Sequence, residues 1–502
     1  MSKFYITTSI AYVNADPHIG HCLEYVQADV VARYHRIKGD EVFFLTGTDE
    51  QSLKNAQAAE KAGLSVEDLV MKYYQRFKEI GRLLNISVDD FIRTTEGRHI
   101  KGAQKLWLAC QKDIYKKTYQ GLYCVGCEEF YQEAELVDGF CPDHQVKPEL
   151  IKEENYFFRL SAYQDQIKKN LESEVIEIIP RFRKNEILSF IDRDLEDICI
   201  SRSRERSRGW GIDVPGDPTQ KMWVWFDALS NYINALGYSG DENNFDQWWQ
   251  KNDDKLHMIG KGILRFHALY WPGLLLSANL ALPKKIFVHG YLTIEGQKMS
   301  KSLGNVIDPF ELIKKYGTDP VRYYLLREFS SFQDGDFSIG RLEKRYQDDL
   351  AHGLSNLIHR VLSLVWNNRG LFNLEKLSLD AGHSRPAKRG GNLDSRKILD
   401  PRLRGDDKIK TIETYNNLLE NFEFNKVLDL VWTVIKETDQ KIDQLKIWEL
   451  AKTDSEKFVL ESVSLIESFY FIAYLLKPFL PETSEKILEL IKMDKEPVPL
   501  FK

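Results

Sequence analysis

The chain has 502 residues, of which 43% are hydrophobic, and a formal net charge of −6. This length predicts three or four domains of roughly 100–200 residues each. The sequence contains neither a secretory leader nor an apolar run of about 18 residues, so we expect a cytoplasmic chain without a membrane partner. The net negative charge does not decide whether nucleic acid is bound, because that contact depends on local basic patches.

Residues 1–115 alternate predicted strands with amphipathic helices, which is typical of a parallel sheet. After the first strand we predict a helix with Asp16 as its N-cap and Pro17 at its first position. Apolar residues then recur every three or four positions until Gly39 ends the helix. His18 and His21 therefore lie at the helix start, where backbone N–H groups attract anions.

A cysteine-containing, acid-rich segment follows at 116–215, and its ligand-type residues predict a zinc knuckle at 119–148. The spacing is Cys-x-x-Cys and then Cys-x-x-His, and four protein ligands leave no open position on the metal. We therefore expect one structural Zn²⁺, with a chance cluster of reduced thiols as the alternative. The expected ligands are Cys124, Cys127, Cys141 and His144.

Strand–helix alternation then resumes, with predicted strands at Lys221–Phe226, Lys255–Ile259 and Lys285–Val288. The insert thus splits one nucleotide-binding sheet into halves. Beyond it, Lys298 and Lys301 in a Lys-Met-Ser-Lys-Ser run suit the neutralisation of departing phosphate oxygens.

From residue 341 onward the pattern is helical, with one apolar stripe that ends at Gly370. The segment 382–410 is basic, poor in apolar residues and without a period, so we predict a disordered surface insertion. Its run Leu399–Asp407 resembles peptides that mobile palindromic DNA elements leave inside bacterial genes. A basic loop that clasps a nucleic acid is the alternative.

The run His18-Ile19-Gly20-His21 and the lysine run at 298–302, in this order on a strand–helix start, resemble the two signatures of class I aminoacyl-tRNA synthetases. Further runs match the methionyl-tRNA synthetase family over nearly the whole chain except 382–410, and the single knuckle is similar to the one-zinc bacterial branch. The alternative is a helix-start histidine pair and an exposed lysine loop that match by chance. The matching runs are Val224–Leu229, Gly260–Trp271 and Val288–Tyr291.

This resemblance implies a Rossmann-like α/β nucleotide-binding catalytic domain, split by a zinc-knuckle connective insert and followed by an all-α anticodon-binding helical bundle. We expect the catalytic halves at 1–115 and 216–295 and the insert at 116–215. A KMSKS loop and stem-contact region is expected at 296–340, and the bundle at 341–502.

The implied reaction has two steps: ATP and L-methionine form methionyl-adenylate with release of pyrophosphate, and methionine then passes to tRNA(Met). Mg²⁺ accompanies ATP. His18 and His21 stabilise the first transition state, and Lys298 and Lys301 the pyrophosphate side. The positions that match the family's ATP contacts are His18, Gly20, His21, Gly260, Lys298, Met299, Ser300 and Lys301.

A methionine pocket needs apolar, polarizable walls, which aromatic rings supply. Asp49 matches the family's carboxylate for the substrate ammonium; for any single aromatic alone, core packing is the alternative. The positions that match the family's pocket are Ile10, Tyr12, Asp49, Trp225, Ala228, Leu229, Tyr232, Ile263, His267 and Trp271.

In the helical part, Asn356, Arg360 and Trp448 match the family's anticodon readers, with base stacking on the indole. A helix-surface pair and a core tryptophan are the alternative. Because the chain stops after this part, we expect a monomer.

Two departures from the family pattern stand out. Gln51 replaces a histidine, and Gly262 replaces an aspartate that acts on the ribose of ATP. We therefore predict weaker ATP binding than in a Gly262→Asp variant. The four arginines at 202, 204, 206 and 208 are either a positive hairpin near the tRNA acceptor path or a solvated loop. Two rival functions are a tRNA-binding protein that no longer charges and a small nucleotidyltransferase.

Overall fold

The computed structural model describes residues 2–124, 129–142, 145–193, 195–294, 296–298, 307–372 and 406–501. Its centre is a parallel sheet of seven strands. In spatial order six of them are Ala11–Tyr12, Glu41–Asp49, Lys3–Thr8, Lys255–Gly260, Lys285–His289 and Glu177–Ile179, and the seventh, Asp90–Arg93, also pairs with Glu41–Asp49.

The strand Lys3–Thr8 is central and has a parallel partner on each side. Its side chains are almost all buried, as expected for a sheet whose two faces are both covered. The carboxyl ends of the parallel strands share one edge, where open α/β sheets bind ligands. The helices of this part include Ile19–Lys38, Leu53–Ala62, Val66–Leu83, Gly97–Ala109 and Trp271–Ser277.

The first helix differs from its prediction by two residues at its start. It runs over Ile19–Lys38 with His18, not Asp16, as its N-cap. Asp16 instead accepts a hydrogen bond from Arg76 Nε at 2.9 Å, so its carboxylate is not available to the helix. The predicted end is confirmed, since Gly39 has a φ of 90°, a left-handed conformation that suits glycine.

The predicted strand Lys221–Phe226 is wrong in its second half. Asp217–Met222 is a strand, but Val224–Leu229 is a helix that begins after the extended residue Trp223. Nearly every side chain of this helix is buried, and periodicity alone cannot separate a fully buried helix from a buried strand. The other predicted strands are confirmed within a few residues.

The segment predicted as the insert contains an antiparallel sheet of four strands: Glu129–Tyr131, Ile114–Cys124, Glu149–Phe158 and Ile198–Cys199. A smaller sheet orders Ser201–Ser203, Asp217–Met222 and Asp213–Val214. Helices Gln164–Glu172 and Arg181–Ile191 lie in sequence between Glu149–Phe158 and Ile198–Cys199. Glu177–Ile179 departs from the predicted split, because it pairs with Lys285–His289 at the edge of the central sheet.

The C-terminal part is helical, and its predicted apolar stripe is buried from Leu342 to Val365. Residues 373–405, which hold most of the predicted disordered insertion, lie outside the described residues. Its last residues, 406–410, are helical and correct that prediction. Within the described residues its α-helices are Pro309–Tyr316, Thr318–Arg327, Ile339–Arg345, Asn356–Asn367, Asp406–Glu420, Phe424–Leu445, Ile447–Thr453, Ser455–Leu476 and Pro481–Leu490, and the π-helical segment Tyr346–Ser355 joins Ile339–Arg345 to Asn356–Asn367.

Among the described residues, one helix, Ser455–Leu476, is long and apolar enough to cross a membrane by length and composition alone. It packs against Phe424–Leu445 and Pro481–Leu490, and half of its most apolar window is buried within the protein. A core helix of a bundle has these same properties, which explains its composition.

Candidate active site

The two histidines of the first signature cap the first helix together. His18 Nδ1 accepts from the Gly20 N–H at 3.1 Å, and His21 Nδ1 accepts from the His18 N–H at 3.1 Å. Their rings stack with centroids 3.8 Å apart. Because a backbone N–H only donates, each neutral ring carries its proton on Nε2. The pair therefore presents two N–H donors at the positive end of a helix.

The pKa of His21 is held well below its usual value by burial, by His18 and by His289. At neutral pH the ring is uncharged and acts as a hydrogen-bond donor through Nε2. Such donors, with the helix N-terminus, stabilise negative charge that develops on a phosphate.

Glu24, one turn further along the helix, joins this helix to two strand ends. One carboxylate oxygen accepts from the backbone N–H of Ser9 at 2.7 Å and from its hydroxyl at 2.6 Å. The other lies 2.8 Å from His289 Nε2, and both residues are buried. Sequence reasoning assigned no role to Glu24 or His289, because their contact joins residues 265 positions apart, although His289 lies within the matching run Val288–Tyr291.

Most of the predicted methionine-binding residues line one pocket beside these groups. Tyr12 and Trp271 are outside that lining: Tyr12 pairs with Asp49 in the sheet, and Trp271 is fully buried behind Tyr232. Ser9 and Asn231 line the pocket and were not predicted. The predicted residues that line it are Ile10, Asp49, Trp225, Ala228, Leu229, Tyr232, Ile263 and His267.

The polar wall of this pocket is a neutral pair. His267 Nδ1 lies 2.9 Å from the backbone oxygen of Ile263 and therefore carries the proton. Its Nε2 then accepts from the Tyr232 hydroxyl at 2.8 Å. Burial lowers the pKa of His267 to about 4, so this arrangement is uncharged at neutral pH. Trp225 stacks on Phe266 with centroids 3.8 Å apart, which fixes the indole at the pocket wall.

Two adjacent carboxylates at the end of strand Glu41–Asp49 have different surroundings. Glu50 accepts from Arg93 Nε at 2.8 Å and Nη2 at 3.0 Å, and also from Thr48 and Thr95. Its charge is therefore compensated within the fold. Asp49 is also buried, but it lines the pocket. Of the two, Asp49 is the carboxylate placed to meet a ligand's ammonium.

The strand Lys255–Gly260 ends at Gly260, which is the register partner of His289 in the neighbouring strand. Gly262 follows in a short 3₁₀ turn, and a β-carbon there would overlap the hydroxyl oxygen of Tyr291. The space left by the missing side chain is thus taken by a tyrosine hydroxyl at the same sheet edge.

Only the start of the second signature is described. The backbone of Lys298 pairs with Thr293 in a short antiparallel ladder that follows the strand Lys285–His289. Met299, Ser300 and Lys301 lie outside the described residues, so their expected contacts with ATP stay predictions.

A second cleft lies near the pocket, and two of the four arginines at 202, 204, 206 and 208 line it. Arg202 and Arg206 line it with their guanidinium groups 4.9 and 4.3 Å from the ring of Tyr123. Arg204 and Arg208 are exposed and pair with Asp213 and Glu60. The run is therefore neither a uniform basic hairpin nor a simple solvated loop.

The described part of the predicted zinc knuckle brings two thiols into one small cluster. Cys124 and Cys141 are both buried there with Tyr131. Cys127 and His144 lie outside the described residues, and the described residues alone contain no group of three or more metal-ligating side chains. Cys22, Cys110 and Cys199 are buried and remote from this motif in sequence.

The predicted anticodon readers lie on the helical part. Asn356 and Trp448 are exposed, so Trp448 is not a core residue. Arg360 Nη2 donates to Asp439 at 2.8 Å and lies 3.5 Å from Asp443, near the end of the helix that precedes Trp448. Arg360 is therefore held by two carboxylates of that helix.

Comparison with known proteins identifies the family of this chain. The family model for class I tRNA synthetases (M) matches residues 4–148 and 144–362. The methionine–tRNA ligase of Thermotoga maritima is 39% identical over 99% of this chain and 76% of its own. That of Rhizobium meliloti is 41% identical over 98% of this chain and 92% of its own. The chain belongs to the methionyl branch of the class I tRNA synthetases.

Solved structures of the same branch have the same fold. The Mycobacterium tuberculosis methionyl-tRNA synthetase in complex with methionyl-adenylate superposes with a TM-score of 0.85 at 38% identity, over 97% of this chain and 94% of that one. A second structure of that enzyme bound by methionyl-adenylate has a TM-score of 0.87 at 35% identity and covers all of both chains.

Proposed function

We propose that the protein is a methionine–tRNA ligase that forms methionyl-adenylate from L-methionine and ATP and transfers methionine to tRNA(Met). The observation that carries this proposal is the pocket between Asp49 and the Tyr232–His267 pair, joined through Ser9 and Glu24 to the helix that His18 and His21 begin. An amino acid and a nucleotide phosphate are thereby brought to one sheet edge.

In the first step, Asp49 holds the substrate ammonium while the apolar walls and Trp225 surround the thioether. The neutral pair of Tyr232 and His267 offers the sulfur a dipole without a charge. The methionine carboxylate attacks the α-phosphorus, the P–O bond to pyrophosphate breaks, and no protein nucleophile takes part. The Nε2–H groups of His18 and His21 stabilise the charge on the phosphorus oxygens.

The pyrophosphate side is assigned to Lys298 and Lys301, with Mg²⁺ bound to the nucleotide. Met299 and Ser300 complete the ATP-binding run, and Gly20 and Gly260 allow close approach of the backbone. The support for this assignment is the match of the run to the family signature and its start at the strand that follows His289.

The acceptor end of tRNA is assigned to the cleft of Tyr123, Arg202 and Arg206, which combines an aromatic ring with cationic groups, as single-stranded RNA sites do. The anticodon is assigned to Asn356, Arg360 and Trp448. We further propose the division into catalytic halves at 1–115 and 216–295, an insert at 116–215, a loop region at 296–340 and an anticodon-binding bundle at 341–502.

One Zn²⁺ is assigned to Cys124, Cys127, Cys141 and His144. The burial of Cys124 and Cys141 together fits a thiolate site, and the metal would cross-link two turns of the insert. One zinc per chain, lost in Cys124→Ser but kept in Cys199→Ser, is the expected result of metal analysis. Equal zinc content in both variants would contradict the assignment.

The proposal is tested by charging of tRNA(Met) with labelled methionine. Formation of methionyl-tRNA, and none with a tRNA for another amino acid, is expected. Binding of tRNA(Met) without any charging would contradict it and support the alternative, a weakened synthetase that acts as a tRNA-binding protein. The monomeric state and cytoplasmic location remain predictions, to be checked by sedimentation and by cell fractionation.

A further inference from the structure

We propose that the Tyr291 hydroxyl recognises the ribose of ATP in this chain and takes the place of a side chain that Gly262 lacks. The inference rests on the proposed function. Its starting point is the overlap between the Tyr291 hydroxyl and any β-carbon at position 262. A tyrosine hydroxyl both donates and accepts hydrogen bonds, as a sugar hydroxyl does.

The position of Tyr291 follows from the sheet. Gly260 and His289 are register partners at the carboxyl ends of neighbouring parallel strands. A β-carbon at Gly260 would lie 3.5 Å from both the His289 ring and the Tyr291 ring. Tyr291 therefore lies over the end of strand Lys255–Gly260, at the edge where such sheets bind nucleotides.

The same edge holds the groups assigned to the phosphates. His289 contacts Glu24 on the first helix and is close enough to lower the pKa of His21. The ribose of ATP is bonded to the α-phosphate, so it must lie within a few ångströms of the group that holds that phosphate. Tyr291 presents a hydroxyl at this same sheet edge, next to the strand end at Gly260 that pairs with His289.

The Tyr291 ring is supported on one side. Lys261 Nζ lies 4.8 Å from the ring centroid and pairs with Asp334 at 2.6 Å, and Asp334 also accepts from the Tyr291 backbone N–H at 2.9 Å. The side chain is 43% exposed, which leaves it accessible to a ligand. This support orients the hydroxyl before ATP binds.

This arrangement changes the prediction for Gly262→Asp. The new side chain would displace Tyr291, so a carboxylate replaces a hydroxyl instead of filling a void. Gly262→Asp alone should therefore raise the affinity for ATP by less than the sequence analysis predicts. Positions 262 and 291 must be tested together.

The experiment measures methionine-dependent ATP–pyrophosphate exchange with ATP and with 2′,3′-dideoxy-ATP. Tyr291→Phe should raise the KM for ATP about three- to tenfold, lose most of the preference for ATP over the dideoxy nucleotide, and keep the KM for methionine. The double variant Gly262→Asp/Tyr291→Phe should regain that preference. Tyr316→Phe is the matched control, because the Tyr316 hydroxyl donates to Glu343 and touches neither Gly260 nor Gly262.

An unchanged preference for ATP over the dideoxy nucleotide in Tyr291→Phe would overturn the inference, whatever the KM. Exchange that remains methionine-dependent in that case keeps the proposed function intact. Absence of exchange in the unmodified protein would instead refute the proposed function.

Discussion

Arg322 and Asp29 form a 2.8 Å ion pair in which neither side chain is exposed to solvent. Asp29 lies on the helix that begins with the histidine pair, and Arg322 on Thr318–Arg327. Burial raises the pKa of Asp29, but Arg322, Arg33 and Ser87 together bring it below its usual value. The pair thus connects the helix that begins with the histidine pair to the helical part. The guanidinium also donates to the backbone oxygens of Leu84, Pro478 and Phe479.

Arg322→Met should lower the free energy of unfolding by ~3–5 kcal/mol, because it leaves a buried carboxylate short of a partner. Urea unfolding followed by circular dichroism measures this. The control is Lys344→Met, whose i,i+4 pair with Asp348 is largely exposed and should cost less than ~0.5 kcal/mol. Equal losses in the two variants would contradict the account.

Asp49→Asn should raise the KM for methionine about 10- to 100-fold, since the ammonium loses a charged partner. Glu50→Gln should instead lower the free energy of unfolding by ~3 kcal/mol, because Arg93 loses its buried partner, with a much smaller effect on that KM. Exchange kinetics at saturating ATP and urea unfolding separate the two effects. The same rise in KM in both variants would refute the distinction.

Acid should destabilise the fold through His267. Its folded pKa is about 4, and an unfolded histidine has a pKa of about 6.5. Between these values the unfolded chain binds more protons, so the free energy of unfolding falls as the pH falls, by up to ~1.4 kcal/mol per pH unit. Stability from this residue is fully present above about pH 6.5.

Urea unfolding at about pH 7, 6 and 5 measures this slope. His267→Gln should reduce the slope of the free energy of unfolding with pH by up to ~1.4 kcal/mol per pH unit, the contribution of one proton. The control is His352→Gln, at an exposed histidine, which should leave that slope unchanged. Identical slopes in the unmodified protein and His267→Gln would show that the ring is not buried neutral.

Trp448→Ala should reduce kcat/KM for tRNA charging about 5- to 150-fold, the loss expected for one stacked base, and leave pyrophosphate exchange unchanged. Leu460→Ala is the control, because Leu460 is another exposed apolar residue of the helical part. A fall in exchange as large as the fall in charging would place the defect in the catalytic part instead.

Local features of the fold were predictable from the sequence. The period of the first helix, its end at Gly39 and the strands around it depend on nearby residues, and the structure has them. The prediction of a strand through Phe226 failed because the helix Val224–Leu229 is buried on all sides and has no polar face to mark its period. The prediction of Asp16 as the N-cap failed because Asp16 pairs with Arg76, a residue distant in sequence.

The site was predictable only where short runs carry it. The runs around Trp225 and His267 indicated most of the pocket lining, and Asn231 lies two residues beyond the end of the first run, Val224–Leu229. The contact of Glu24 with His289 and the position of Tyr291 over Gly262 depend on strand order. No local pattern reports strand order, so these contacts required coordinates.

Methionine-dependent ATP–pyrophosphate exchange without tRNA tests the central claim most directly. The account predicts exchange with methionine and far less with other amino acids, and a loss of about 10²–10³-fold in kcat for His21→Gln. A folded protein that shows no exchange, or exchange driven better by a different amino acid, would contradict it.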